Sequence, residues 1–214
     1  MKKKLAVILS GCGLYDGTEI GEALMTLLAI DQLGANYVLF APDKEQYHVV
    51  NHLTGQPTKE KRNVLVESAR IARGKIQSLD KYDAADFDGI VIPGGFGAAK
   101  NLSTYALDGV DLRVDEQVSK AIQDTYALQK PIAAMCIAPI ILAKLLHGIE
   151  ITLGNDKEIA QELSAMGACP KNISSMEVVV DKAHSIYTTP CYMLPNVGLA
   201  DIAIACHKLI SSIL

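Results

Sequence analysis

Cys136 is the residue of this sequence best placed for covalent chemistry. It stands between the apolar residues 131–135 and a second apolar run, where a buried strand is expected to turn into a helix. A thiol near the start of a helix lies close to unpaired amide groups and to the positive end of the helix dipole. We therefore expect its pKa to fall below the ordinary value, and the amide of Ile137 to point at whatever bonds to the sulfur. Position alone leaves a second interpretation open, in which Cys136 is a small apolar residue filling the edge of the sheet.

A glycine-rich loop, residues 93–97, follows another short apolar run. Adjacent glycines let backbone amides approach a bound group closely, or adopt positive φ. An amide from this loop, such as that of Gly95, can pair with the amide of Ile137 to form an oxyanion hole, although an ordinary tight turn fits equally. The loop lacks the residues of a phosphate-binding loop, and Gly-x-Gly-x-x-Gly is absent from the chain. No nucleotide cofactor is therefore expected.

Two glutamates, Glu19 and Glu22, lie three residues apart near the start of the first predicted helix. An isolated glutamate there would face water and interact favourably with the helix dipole. A carboxyl group buried beside a thiolate behaves differently, because two adjacent anions are disfavoured and the pair retains a proton. The carboxyl pKa then rises, which is the condition for a general acid or base near neutral pH.

Other candidate residues carry weaker signals. Cys12 ends the first predicted strand and Cys191 follows a later one, so either can line the same pocket or form plain pocket wall. His48 and His52 are four residues apart with Asp43 nearby, but they fall in an irregular segment without a clear third ligand. No Cys-x-x-Cys or Cys/His zinc pattern is present, so no metal is expected.

The bulk properties of the chain exclude several classes of function. The chain has 214 residues, half of them hydrophobic and 21% charged, with a net charge of −4. We expect one domain over residues 1–214 and no nucleic-acid partner, because no long basic run is present. No apolar stretch approaches the roughly 20 residues that a membrane span needs, so no membrane association is expected.

The N-terminal sequence resembles a lipoprotein signal peptide, because three lysines precede five apolar residues and Ser10-Gly11-Cys12. A secretory apolar region usually runs about 7–15 residues, so these five are better explained as the first strand of a parallel sheet. On this interpretation the protein is predicted to be cytoplasmic. Its five cysteines then lie in a reducing compartment, where a disulfide framework is not expected.

Strand-like apolar runs alternate with helical segments, which is the pattern of an α/β protein with a mostly parallel sheet. Because ligands collect beyond the carboxyl ends of such strands, the loops at 10–17, 93–99 and 135–139 are expected to form the site. The predicted strands are 5–9, 37–40, 88–93, 131–135, 149–153, 178–180 and 186–189, and the predicted helices are 19–34, 62–73, 98–106, 111–128, 137–146 and 195–214.

Two of these segments resemble the DJ-1/PfpI superfamily, which is related to class I glutamine amidotransferases. Residues 87–103 look like its glycine loop and following helix, and residues 132–139 look like its nucleophile elbow. The spacing from Glu22 to Gly34 is similar to that between the family's first-helix glutamate and the glycine ending that helix, so the resemblance selects Glu22 rather than Glu19. It implies a flavodoxin-like three-layer sandwich, a mostly parallel sheet with helices on both faces.

Residues 8–17, 40–43, 51–55, 62–65 and 188–193 extend the resemblance, over nearly the whole chain, to one branch of the superfamily that is linked to isoprenoid biosynthesis. The branch implies a bacterial cytoplasmic protein, a homodimer, with cofactor-independent glyoxalase activity on a small aldehyde; protein deglycation has also been proposed for it. The site residues that we carry over are the catalytic Cys136 and Glu22, the oxyanion-hole amides of Gly95 and Ile137, and a pocket containing Gly94, Cys12, Asn101, Thr189 and Cys191.

One feature of the superfamily is missing from this chain. Many members place a histidine beside the cysteine or in the strand after the elbow helix, where this sequence has Ile137 and residues 152–155. A histidine-assisted hydrolase, such as a protease or glutaminase, is therefore not expected. The remaining Cys–Glu pair fits carbonyl addition, or a redox-sensing or regulatory role in which Cys136 is oxidised beside Glu22 and turnover is incidental.

Overall fold

The computed structural model describes residues 2–214, in which strands and helices alternate along most of the chain. The strands are β1 (Lys4–Ile8), β2 (Asn36–Ala41), β3 (Val50–Asn51), β4 (Gln56–Pro57), β5 (Ile76–Ser78), β6 (Gly89–Ile92), β7 (Ile132–Met135), β8 (Glu150–Ile151), β9 (Cys169–Pro170), β10 (Val179–Asp181) and β11 (Ile186–Thr189). The helices are α1 (Ile20–Gln32), α2 (Val64–Ile71), α3 (Phe96–Lys100), α4 (Tyr105–Asp108), α5 (Glu116–Ala127), α6 (Pro139–Leu145), α7 (Lys157–Ala165) and α8 (Leu199–Ile213).

Seven of the strands form one sheet in the order β10-β11-β7-β6-β1-β2-β5. Every neighbouring pair in it is parallel except β10 and β11, which are antiparallel. The central strands β6 and β7 are buried at every position, as expected for parallel strands covered on both faces. Two further pairs, β3 with β4 and β8 with β9, lie outside this sheet.

Helices cover both faces of the sheet and bury one hydrophobic cluster on each side. On one face, α1, α2 and α8 pack on the sheet through residues such as Ile30 and Leu209. On the other face, α3, α5, α6 and α7 contribute residues such as Ile122 and Ile140. The predicted three-layer α/β sandwich with a mostly parallel sheet is therefore confirmed.

The boundaries of several elements differ from the predicted ones for local reasons. The predicted helix at 98–106 is split into α3 and α4, and the Ser103 hydroxyl between them donates to the Ala98 carbonyl. The predicted helix at 111–128 begins later, because the Asp115 carboxylate accepts the amides of Gln117 and Val118 and caps α5. The sequence analysis missed β5 and α7 altogether.

The sheet brings three predicted loops to one edge. Because β1, β6 and β7 are parallel neighbours, the segments that follow them all emerge from the same end of the sheet. The segment after β1 leads into α1, which begins where the Glu19 carboxylate accepts the Glu22 amide. Within residues 2–214, no helix is long and apolar enough to cross a bilayer.

Candidate active site

The first part of the site is the turn between β7 and α6, which holds Cys136 in a left-handed conformation. Its φ is +58°, a value that non-glycine residues rarely adopt and that recurs at functional sites. Two backbone hydrogen bonds fix the turn. The Cys136 amide donates to the Thr189 carbonyl at 3.0 Å, and the Ala138 amide donates to the Met135 carbonyl at 3.0 Å. The thiol is therefore held just beyond the carboxyl end of the sheet.

The second part is Glu22, which lies in the first turn of α1 and is fully buried. Its carboxylate accepts the Gly94 amide at 3.0 Å and, at the longer distance of 3.5 Å, the Tyr192 amide. It also forms a side-chain hydrogen bond with Cys136. The structure thus brings the predicted cysteine and the predicted acid into direct contact.

The absence of a side chain at Gly94 makes this contact possible. A Cβ atom built there would lie 2.4 Å from the Cys136 Cβ and 2.5 Å from Glu22 Oε2. Both distances are well inside van der Waals contact, so any larger residue would separate the two groups. Gly94 therefore acts by letting the thiol and carboxyl approach each other.

The amides predicted to form an oxyanion hole face the sulfur. The backbone N–H groups of Gly95 and Ile137 hydrogen-bond to Cys136, and both lower its pKa. Gly95 has φ +98°, and a Cβ there would lie 2.3 Å from the Glu19 nitrogen and 2.4 Å from the Gly17 carbonyl oxygen. The glycine is thus required both by its conformation and by its close packing against the start of α1.

Burial and charge raise the pKa of Glu22 to about 8. The largest cause is the loss of solvent around the carboxyl, followed by the negative charge of Glu19. Hydrogen bonds from Cys136, Tyr192 and Gly94 oppose this shift without reversing it. At neutral pH the carboxyl therefore holds its proton, as the sequence analysis predicted for a carboxyl beside a thiol.

The predicted direction of the Cys136 pKa shift is wrong. Burial, and then the charge of Glu22, raise the pKa of Cys136 well above its ordinary value. The amides of Gly95 and Ile137 lower the pKa as expected for a helix start, but desolvation and the neighbouring carboxyl outweigh them. The thiol can therefore ionise only when the carboxyl beside it keeps a proton.

Two of the predicted pocket residues border Cys136 on the β11 side. Thr189 is fully buried and its carbonyl accepts the Cys136 amide, while its hydroxyl has no hydrogen-bond partner among residues 2–214. Cys191 is fully buried with φ +44°. The Tyr192 amide, which follows it, is a contact of Glu22 that the sequence analysis missed. A backbone amide carries no side-chain signal, so only the fold reveals it.

The other two predicted pocket residues, Asn101 and Cys12, make different contacts. The Asn101 side chain donates to the carbonyls of Ser10 and Asp16 and accepts the Tyr47 amide, so all its hydrogen bonds hold loops together. Cys12 is half-buried, and burial and the charge of Glu67 raise its pKa. Neither residue has a hydrogen bond to Cys136 or Glu22 among the described residues.

His52 ties the irregular segment to the loop after β1, whereas the buried Nδ1 atom of His48 has no hydrogen-bond partner among the described residues. His52 Nε2 accepts the Tyr15 amide at 3.1 Å, and its Nδ1 lies 3.0 Å from the Val50 carbonyl. Asp43, the third residue of the possible metal site, instead accepts a hydrogen bond from Asn63. In the part of the chain that the structure describes, no three His, Cys, Asp or Glu residues form a group able to hold a metal ion.

Comparisons with known proteins show what this chain is similar to. A family model described as the DJ-1/PfpI family matches residues 14–189. A human protein, glutamine amidotransferase-like class 1 domain-containing protein 3, mitochondrial, is 46% identical over 202 residues, which cover 89% of this chain and 75% of that protein. The ES1 protein homolog, mitochondrial, of Rattus norvegicus is 45% identical over 204 residues, covering 90% of this chain and 76% of that protein.

A solved structure is similar over almost its whole length. It is an isoprenoid biosynthesis protein with amidotransferase-like domain from Ehrlichia chaffeensis, with a TM-score of 0.90 and 35% identity, and the match covers 98% of each chain. The two chains therefore share sequence as well as fold, over nearly their whole length.

These comparisons overturn one prediction. The predicted cytoplasmic location is wrong, because the human and rat relatives are mitochondrial proteins by name. The prediction rested on rejecting a secretory signal from the length of one apolar run. That criterion addresses export from the cell and does not address an organelle.

Proposed function

The chain belongs to the DJ-1/PfpI family, and from this premise we propose that it is a cofactor-independent glyoxalase. In this proposal it converts glyoxal to glycolate, or methylglyoxal to lactate, through a covalent adduct on Cys136. The observation that carries the proposal is the buried Cys136–Glu22 pair, in which a carboxyl with a pKa of about 8 contacts a thiol that two backbone amides face.

The first step is addition of the Cys136 sulfur to an aldehyde carbon. The thiol proton passes to the aldehyde oxygen, so the product is an uncharged hemithioacetal. While negative charge develops on that oxygen, the amides of Gly95 and Ile137 are positioned to stabilise it. Glu22 is the group in contact with the sulfur that can hold the proton in transit.

The second step moves a proton between the two neighbouring carbons. Glu22 removes the C–H proton of the hemithioacetal carbon, the second carbonyl oxygen takes up a proton, and an enediol forms. Glu22 then returns its proton to the adjacent carbon, while the hydroxyl on the sulfur-bearing carbon loses a proton to the solvent that had supplied the proton on the second oxygen. The product is a thioester of the hydroxy acid, and water then releases the acid and the free thiol. A carboxylate whose pKa is about 8 is a stronger base than an ordinary carboxylate, which suits removal of a carbon-bound proton.

The small exposed area of the Cys136 thiol favours a small substrate. Cys136 is only 5% exposed, and Glu22 is fully buried. A two- or three-carbon aldehyde can reach such a thiol with little rearrangement, whereas a protein side chain needs a much wider opening. We therefore favour free aldehydes over glycated proteins as substrates, and the name of the Ehrlichia relative supports placing the reaction in isoprenoid biosynthesis.

The decisive experiment is conversion of glyoxal to glycolate by purified protein, followed by NMR. Cys136→Ala is expected to abolish conversion, and Glu22→Gln to reduce it by about 10²–10⁴-fold, the usual contribution of a general acid or base. Cys169→Ser is the matched control, because this cysteine is exposed and lies on β9, outside the seven-stranded sheet whose edge carries the site. Wild-type conversion by Cys136→Ala would overturn the proposal.

We also propose that the protein is a homodimer. Ile20, Leu24 and Leu28 lie along one side of α1 at i, i+4 and i+8, and each remains 43–44% exposed. An apolar stripe of this kind supports a protein partner, and the family resemblance implies a second copy. Sedimentation equilibrium tests the assembly, and a monomer at all concentrations would contradict it.

A further inference from the structure

Three sulfur atoms lie behind the site, on the side away from solvent. Cys206, on α8, is fully buried, and its thiol lies 3.8 Å from the Met135 sulfur and 3.7 Å from the Glu22 carbonyl oxygen. Cys191 is also fully buried, and it belongs to the same buried cluster as Cys136, Met135 and Cys206. The proposed reaction uses neither thiol.

Backbone contacts place Cys191 next to the nucleophile. Two residues before it, the Thr189 carbonyl accepts the Cys136 amide at 3.0 Å. One residue after it, the Tyr192 amide donates to the Glu22 carboxylate that contacts the Cys136 thiol. Cys191 therefore lies between a residue that hydrogen-bonds to Cys136 and a residue that hydrogen-bonds to its partner Glu22. The positive φ of Cys191 turns the chain sharply at that point.

The three thiols differ in access. Cys136 is 5% exposed, whereas Cys191 and Cys206 have no exposed surface. Of these three thiols, Cys136 is therefore the first that an oxidant from solvent meets, and exchange with Cys136 is the direct route by which the two inner thiols are oxidised. This order of burial is what a relay of thiols requires.

We propose that Cys191 and Cys206 form an internal dithiol that resolves an oxidised Cys136. A hydroperoxide converts the Cys136 thiol to a sulfenic acid, with release of water or an alcohol. The Cys191 thiol attacks that sulfur, losing its proton as water leaves, and a Cys136–Cys191 disulfide forms. The Cys206 thiol then attacks the Cys191 sulfur, which gives a Cys191–Cys206 disulfide and returns Cys136 as a thiol.

The consequence is protection of the nucleophile. Without resolution, a sulfenic acid proceeds to the sulfinic acid, which is not reduced by ordinary thiols. With the relay, one equivalent of hydroperoxide removes two hydrogen atoms from the inner pair, and Cys136 remains available. The inference rests on the proposed reactivity of Cys136, but not on its substrate.

The test is a titration of the reduced protein with hydrogen peroxide, followed by denaturing alkylation, non-reducing digestion and mass spectrometry. In the wild-type protein we expect a Cys136–Cys191 peptide pair early, a Cys191–Cys206 pair at the end, and loss of two alkylatable thiols per chain. This time course needs no variant. Accumulation of Cys136 sulfinic acid with both inner thiols still alkylated would overturn the relay.

Variants separate the steps. Cys206→Ser is expected to stop at the Cys136–Cys191 disulfide, with glyoxal conversion lost and then restored by dithiothreitol. Cys191→Ser is expected to reach the sulfinic acid, with irreversible loss. In Cys136→Ala the inner pair should stay reduced, and its oxidation at the wild-type rate would also overturn the relay.

The outcomes distinguish the two proposals. If glyoxal is turned over but peroxide yields only sulfinic acid, the relay fails and the glyoxalase proposal stands. If the disulfides form but glyoxal is not converted, the glyoxalase proposal fails and the relay stands. Cys169→Ser again serves as the control, because its thiol is exposed and is not part of the cluster.

Discussion

Replacing Glu22 with glutamine should make the protein's stability less dependent on pH. Glu22 has an ordinary pKa of 4.5 and a pKa of about 8 in the folded protein. A group whose pKa is raised by folding contributes stability that is complete below its unfolded pKa and is lost as pH rises through its folded pKa. The wild-type protein therefore loses this contribution between about pH 4.5 and pH 8, and Glu22→Gln does not.

The size of the effect follows from the two pKa values. One pKa unit corresponds to about 1.36 kcal/mol, so the full shift from 4.5 to about 8 is worth roughly 5 kcal/mol well above pH 8. At about pH 7 the folded carboxyl is still mostly protonated and the unfolded one is ionised, which corresponds to about 3 kcal/mol. The unfolding free energy of Glu22→Gln minus that of wild type should therefore rise by about 3 kcal/mol between about pH 4 and pH 7.

Urea unfolding at a series of pH values measures this difference. The chain has no tryptophan, so far-UV circular dichroism is the suitable signal. Taking the difference between variant and wild type cancels the titration of all other groups, and the altered hydrogen bonds of the glutamine add only an offset that does not depend on pH. Glu116→Gln, at an exposed position in the first turn of α5, is the matched control for the loss of a carboxyl group outside the site. A difference for Glu22→Gln that does not change with pH would refute the raised pKa and, with it, the proposed base.

Three further predictions concern the surroundings of the pair. Glu19→Gln keeps the oxygen that caps α1 but removes a charge that raises the Glu22 pKa, so the rise of glyoxal kcat/KM with pH should move to lower pH; an unmoved profile would contradict this. Gly94→Ala places a methyl group 2.4 Å from the Cys136 Cβ, so we expect a folded protein by circular dichroism with kcat/KM reduced at least about tenfold, since overpacking costs about 1–3 kcal/mol. Asn101→Ala leaves three backbone groups of the loops without their hydrogen-bond partner, so it should lower the free energy of unfolding in urea by about 1–3 kcal/mol. An unchanged midpoint of urea unfolding would contradict the view that Asn101 holds these loops together.

The sequence predicts the sheet and the loops that the structure brings together at its edge, because both leave local signals. A buried parallel strand is a continuous apolar run, and β6 and β7 were found in this way. The turn after β7 is indicated by Pro139, which lies three residues after Cys136 and is the first residue of α6. The family resemblance then distinguishes Glu22 from Glu19, which the spacing alone did not.

Other features depend on contacts that no local pattern encodes. The raised Cys136 pKa follows from its burial beside Glu22, whereas the sequence reveals only the start of a helix. The Cys206 thiol lies 70 residues along the chain from Cys136, and on α8 it is simply one more apolar position. The sequence analysis missed helix α7 although Ile159, Leu163 and Met166 have helical spacing and Asp156 caps its first turn.

The charge of the Cys136–Glu22 pair bears on which substrates suit the site. A cysteine and a histidine that share one proton are neutral overall, whereas a cysteine and a glutamate that share one proton carry a negative charge. In this protein both groups keep their protons at neutral pH, and the negative charge appears in the buried site when one of the two protons is lost. The groups that stabilise that charge are the amides of Gly94, Gly95, Ile137 and Tyr192. Dipoles of this kind can stabilise one charge, but a second anion beside it would meet the same repulsion that raises both pKa values. The site is therefore suited to an uncharged carbonyl compound, whose addition to the sulfur leaves the buried charge unchanged.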